Sequence, residues 1–147
     1  MWAVTRFAII VPALLVLAGC ADDPADREPD AAVYLTEFVV SVNKPLRAGE
    51  NALLVSNRGF AHHNLTICPG DDSGCAGDPK MLNVLRKPDG ARDPSLIPEQ
   101  TRGLTLGDSW EALISVQLDP GSYRLFCAVI NHAEKGMATT IDVAESA

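Results

Sequence analysis

Short segments of alternating apolar and polar residues, separated by turns rich in Pro and Gly, constrain this chain more than any other feature. No segment keeps a helical period for more than two turns. From Val33 to Val42, VYLTEFVVSV places Tyr34, Phe38, Val40 and Val42 at even positions, with Glu37 and Ser41 opposite, which predicts one strand with a single apolar face. NKPLRAGEN then reads as a turn region, ALLVSN as a buried strand, HNLTIC as another and WEALISVQL as an alternating one. DPG turns the chain into SYRLFC, where Tyr123, Leu125 and Cys127 share a face, and ATTIDV ends the domain with Thr139, Ile141 and Val143 on one side. With no alternation of strands and helices, the pattern predicts an all-β fold, a Greek-key sandwich or barrel of about seven to eight strands. Trp110, Tyr34 and Phe38 read as core residues. Residues 69–103 hold five Pro and many Asp and Gly; MLNVL reads as a short strand and the rest as a decorative loop.

The N-terminus bears on where the chain works. Residues 1–19 carry one charge, Arg6, followed by an apolar run from Phe7 to Ala18 that is short for a membrane span, the pattern of a signal peptide. Its end, Leu17-Ala18-Gly19-Cys20, resembles a bacterial lipobox, in which Cys20 would receive lipid and begin the mature chain. Residues 20–31 are acidic and contain little to bury, so they are expected to form an extended, solvated tether with no fold of its own, leaving 32–147 as one domain. The expected location is therefore extracytoplasmic, anchored by lipid to the cell membrane. Removing 1–19 removes one positive charge and takes the formal charge from −7 to −8. That balance excludes nucleic acid as a partner.

Export also changes how the four Cys are counted. Cys20 is assigned to lipid. Cys68 and Cys75 enclose PGDDSG, a short turn able to bring them together, and are expected to form a disulfide. Cys127 is left over, and a lone thiol outside the cytoplasm is a liability unless something occupies it. Asp71, Asp72 and Asp78 share the same acidic region, but their spacing fits no calcium loop.

Metal coordination would occupy Cys127. CAVINHAEKGM, residues 127–137, brings a thiol, an imidazole and a thioether together in a chain with three His and three Met. Four residues separate Cys127 from His132, and four more separate His132 from Met137. A further nitrogen must come from His62 or His63, in NRGFAHHNL. A thiolate, two imidazoles and a weak thioether suit one copper ion cycling between Cu(I) and Cu(II). Structural zinc favours four strong ligands and iron clusters want more Cys.

Two stretches, YLTEFVVSVNKPLRAGENALLVSNRGFAHHNLTI and LDPGSYRLFCAVINHAEKGMATTIDV, together resemble the cupredoxins, the small blue copper proteins, of the plastocyanin and auracyanin type. Tyr123, Cys127, His132, Gly136 and Met137 are similar to the downstream pattern of that family, and Asn57, Gly59, His63 and Asn64 to the upstream one. The resemblance implies that His63 rather than His62 is the nitrogen donor, and that Asn64 ties the two ligand loops together by hydrogen bonds. It also implies that His132 lies near the surface in an apolar patch through which electrons pass, here formed by Val129, Ile130 and Ala133.

The expected function is a mononuclear type 1 copper protein acting as a membrane-tethered one-electron carrier between redox proteins at the membrane surface, and not an enzyme. A copper delivery or storage protein using the same site is the alternative, although the chain lacks the Met- or His-rich clusters that such proteins use. Multicopper oxidases and nitrite reductases need several domains and more His than this chain has. Nothing in the sequence calls for an obligate dimer, so a monomer is expected.

Overall fold

The computed structural model describes residues 23–70, 79–87 and 100–146. The alternation of apolar side chains is realised as ten strands: β1 (Ala31–Thr36), β2 (Val39–Val42), β3 (Gly49–Asn57), β4 (His63–Pro69), β5 (Leu82–Arg86), β6 (Gln100–Thr101), β7 (Gly103–Leu106), β8 (Glu111–Leu118), β9 (Gly121–Phe126) and β10 (Ala138–Val143). They form two sheets, one in the order β2-β1-β3-β8-β5-β6 and the other β10-β9-β4-β7. β1 runs parallel to β3, and the other named pairs are antiparallel. The chain crosses from one sheet to the other repeatedly, which makes the all-β sandwich that the pattern predicted.

The core lies between the sheets and is built from fully buried aliphatic side chains, among them Leu35, Leu53, Leu65, Ile67, Leu104 and Leu125. Each such side chain contributes roughly 1.5–3 kcal/mol by leaving water. β8 departs from strict alternation: Ala112 to Val116 are all buried. Ala112, Ile114 and Val116 enter the core cluster, while Leu113 and Ser115 are buried on the strand's other face. The strand lies between β3 and β5, paired on both edges.

The reading of Val33–Val42 as a single strand is corrected. The segment is a hairpin: β1 and β2 pair antiparallel around Glu37 and Phe38, with Leu35 opposite Val40 and Thr36 opposite Val39. Odd positions Ala31, Val33 and Leu35 are buried, Tyr34 is half-buried with the Arg58 guanidinium 3.7 Å from its ring centre, and Phe38 is 40% exposed rather than core. Phe38 has φ 63°, a left-handed conformation for which turns ordinarily recruit Gly or Asn. A Glu-Phe turn carries no such signal, so the chain reversal was not legible.

The expected tether is corrected as well. Asp23 caps a 3-10 turn, Pro24–Asp26, by accepting from the Ala25 N–H at 3.0 Å. Arg27 pairs with Asp30 at 3.0 Å and with Glu50 of β3 at 2.9 Å. The Asp30 N–H donates to the Ala52 carbonyl at 2.8 Å, and its carboxylate accepts from the Ala52 N–H at 2.7 Å. Residues 23–30 are thus docked on β3, while residues 20–22 of the expected tether lie outside the described residues. In the middle region β5 forms at MLNVL as expected, while β6 and β7 were missed. Leu104 and Leu106 of β7 are fully buried, and their alternation between Gly103 and Gly107 was the signal for it. Residues 1–19, Cys20, Cys75 and the Asp71, Asp72 and Asp78 cluster lie outside the described residues.

Replacing Leu65, fully buried in β4, with Ala is expected to cost about 2–5 kcal/mol. Val39→Ala, at a site 51% exposed, is expected to cost less than about 0.5 kcal/mol. Denaturant midpoints of the two variants check the assignment of inner and outer faces.

Candidate metal centre

Three adjacent strands of the smaller sheet end at the same edge. Thr66 of β4 and Ala138 of β10 both stand opposite Phe126, the last residue of β9, so His63, Cys127 and Met137 are carried past that point together. Residues 127–137 then fold back through successive turns. His132 N–H donates to the Val129 carbonyl at 3.0 Å, Gly136 N–H to Ala133 at 3.1 Å and Met137 N–H to His132 at 3.0 Å, and Cys127 N–H closes the loop on the Met137 carbonyl at 3.0 Å. Gly136 has φ 109°, a conformation that side chains disfavour, and a Cβ there would stand 3.2 Å from the Phe38 carbonyl oxygen.

One donor atom each from His63, Cys127 and His132 falls within a cluster whose atoms all lie within 4.8 Å of one another. Cys127 Sγ is 3.6 Å from His132 Nδ1, and the two imidazole centres are 5.2 Å apart. His63, Cys127 and Met137 are fully buried, whereas His132 is half-buried. Cys127 is the free cysteine among the described residues, and its sulfur accepts from the backbone N–H of Asn64 at 3.3 Å.

Both ring nitrogens of His63 are buried without a hydrogen-bond partner. Buried polar atoms are rarely left so, because desolvation without a partner costs about 1–3 kcal/mol. A cation held between this ring, the Cys127 sulfur and His132 would satisfy one of them. The donor set, sulfur with two imidazoles, could bind one copper ion. His62 precedes His63 at the start of β4, and adjacent strand residues face opposite ways. His62 is accordingly exposed and His63 buried, so the strand itself separates the two candidates.

The structure contains a hydrogen bond from Asn64 to the Cys127 loop. The tie to the Cys127 loop is made by its backbone amide; its side chain instead accepts from the Thr66 hydroxyl at 2.6 Å and donates to Thr105 Oγ1 at 3.3 Å, bracing β4 against β7. The loop ahead of His63 is held by Asn57, 1% exposed. Its amide donates to the carbonyls of Ala61 at 2.7 Å, Gly107 at 2.9 Å and Leu106 at 3.2 Å, while its oxygen accepts from the Gly59 N–H at 2.9 Å.

Sequence reasoning missed Glu37. From the β1–β2 turn its carboxylate accepts from the N–H groups of Phe60 and Ala61, and it lies 3.6 Å from His63 Nε2. Donation from the Phe60 N–H is the main reason that this carboxyl is held below its ordinary range. Burial holds His63 below its usual 6.5, with the Glu37 charge opposing the shift. No local pattern joins Glu37 to His63, since the contact exists only once β1 and β4 are packed. On the outside, the Phe38 ring meets His132 edge-on at 5.9 Å. Phe60 at 90%, Ile130 at 84% and Val129 at 37% are the neighbouring exposed apolar residues of the two loops.

Asn57→Ala removes the side-chain donor from three carbonyls, of which Gly107 keeps the Trp110 N–H at 3.3 Å, and the acceptor from one N–H, and is expected to cost about 3 kcal/mol and to make the Cys127 thiol reactive toward a thiol reagent. A second expectation concerns pH in the metal-free protein. A lowered folded-state value for His63 favours the fold that holds it neutral; this contribution is complete above about pH 6.5 and is lost as pH falls through the lowered value. Denaturant midpoints taken at about pH 7.5 and about pH 5 should fall with pH, less steeply in His63→Ala.

Neither a family model nor a curated protein matches the sequence. Solved structures do match. The multicopper oxidase from Campylobacter jejuni, described as a metallo-oxidase, superposes with a TM-score of 0.56 at 13% identity over 82% of this chain and 31% of that one. The multi-copper oxidase from Pseudomonas thermotolerans does so with 0.52 at 21% identity, over 80% and 31%. Auracyanin B matches with 0.51 at 15% identity over 80% of this chain and 91% of that one. The chain thus spans less than a third of these oxidases but most of auracyanin B. At such identities the likeness speaks for architecture, and together with the two-sheet topology it shows that this chain has the cupredoxin fold.

Proposed function

We propose that this chain is a mononuclear type 1 copper protein that carries one electron at a time while tethered by lipid to a membrane surface. The observation that carries the reading is the asymmetry of the cluster: His63 and Cys127 are fully buried, and His132 alone is part exposed. Bound copper would supply a one-electron couple. His63, Cys127 and His132 would hold it, with Met137 as the weak fourth donor that sequence spacing suggests. Four protein donors leave no open position for a substrate, which favours electron transfer over hydrolysis or oxidation of a bound molecule.

The residues around the cluster support this reading in two ways. Loops 57–63 and 127–137 are braced by Asn57 and by the turn hydrogen bonds described above, so the donors need not move when the charge of the site changes. Phe38, Phe60, Val129 and Ile130 give the face around His132 an apolar surface suited to a brief, small-area encounter with a redox protein. The identity of those partners, a monomeric state, and the anchor at Cys20 are part of the proposal. Delivery of copper is less well served by this site, because handing over the ion would require two fully buried donors to become accessible.

Loading with cupric ion is expected to give an intense visible charge-transfer band. Cys127→Ser and His63→Ala should abolish it, and His62→Ala should leave it in place. Visible absorption and electron spin resonance read both outcomes; a colourless protein that binds cuprous ion would move the reading to copper delivery.

A further inference from the structure

We propose that Glu37 is the positioning residue for His63: its carboxylate takes the Nε2–H of that ring, fixes Nδ1 as the metal-facing nitrogen and lends the imidazole negative character. This rests on the copper reading above for its effect on the metal, but its geometric part belongs to the protein alone. The ring is fully buried, both nitrogens lack a hydrogen-bond partner, and among the described residues Nε2 meets one carboxylate, that of Glu37, at 3.6 Å. That distance is just beyond a hydrogen bond, and a shift of a few tenths of an ångström in the part-exposed side chain would close it. The other functions of Glu37 hold it in place. It accepts from Phe60 and Ala61 N–H, on the loop that leads into His63, so one side chain fixes both the loop and the ring that the loop presents.

The neighbouring glycine shows how closely these groups are fitted. A Cβ on Gly59 would stand 2.6 Å from both Glu37 Oε1 and His63 Nε2, closer than any side chain tolerates. Asn57 holds the Gly59 N–H at 2.9 Å and keeps that backbone against the pair. The space between carboxylate and imidazole is therefore kept clear by the absence of a side chain at position 59. A ligating imidazole that donates its second N–H to a carboxylate is a stronger base than one that donates to water, and a stronger base favours the more highly charged oxidation state of a metal. Glu37 should thus lower the reduction potential of the site.

Two readouts test this. In the metal-free protein, side-chain nitrogen chemical shifts should show His63 neutral with its proton on Nε2; a ring protonated on Nδ1 instead would overturn the proposal, whatever the chain does with copper. In the copper-loaded protein, Glu37→Gln separates the carboxylate's charge from its structural role, because the Gln oxygen still accepts from Phe60 and Ala61. The variant should keep wild-type thermal stability and a blue band while its potential rises, corresponding to a loss of roughly tenfold in the ratio of cupric to cuprous affinity. A Glu37→Gln protein with wild-type potential would confine Glu37 to bracing the loop and defeat the proposal. If His63 carries its proton on Nε2 but no blue band forms in wild type, the positioning role stands and the electron-carrier reading falls.

Discussion

The register of β9 between β4 and β10 is the constraint on which the site depends. With Phe126 opposite both Thr66 and Ala138, the three strands deliver Cys127, His63 and Met137 to one end of the smaller sheet. A slip of one residue would invert every side chain on β9 and turn Cys127 away from the cluster. Burial guards against that slip: Tyr123, Leu125 and Cys127 occupy the inner face, and a slipped strand would exchange them for Arg124 and Phe126. The same apolar face that stabilises the sandwich therefore aligns the donors, and packing and chemistry share one set of hydrogen bonds.

The cluster itself works against stability. His63 sits in the interior with neither nitrogen satisfied, and Cys127 is buried with a single backbone N–H directed at its sulfur. Such groups are maintained because the scaffold around them is over-determined. Asn57 joins the His63 loop to the residues that follow β7, Asn64 braces β4 against β7, and the hydrogen bond from Cys127 to Met137 closes the second loop. Held in this way, the three side chains are positioned by hydrogen bonds within the protein rather than by one another.

Part of the site was legible locally. Cys127, His132 and Met137 lie within one loop, so their spacing alone suggested a ligand set, whereas the choice of His63 over His62 came from the resemblance of NRGFAHHNL to the upstream cupredoxin pattern. Glu37 was not legible, because its contact with His63 joins residues on different strands and follows no short-range rule. The β1–β2 turn was missed for a related reason: Phe38 adopts a left-handed conformation without a Gly or Asn to announce it. The docking of residues 23–30 depends on Ala52 and Glu50 of β3, so composition alone read that acidic stretch as solvated.

By itself the sequence determined the all-β class, the strands from Gly49 onward other than β6 and β7, and the grouping of Cys127, His132 and Met137 as candidate donors in one loop, since these follow from period-two burial and from the scarcity of His, Cys and Met. Tertiary structure alone decided that Glu37 faces His63, that Phe38 meets His132 edge-on, and that Asn64 reaches the sulfur through its backbone amide rather than its side chain. The physical reason is range. Alternation, turns and strand faces are set by neighbours along the chain, whereas contacts across the sandwich exist only after long-range strand pairing has fixed how the sheets meet.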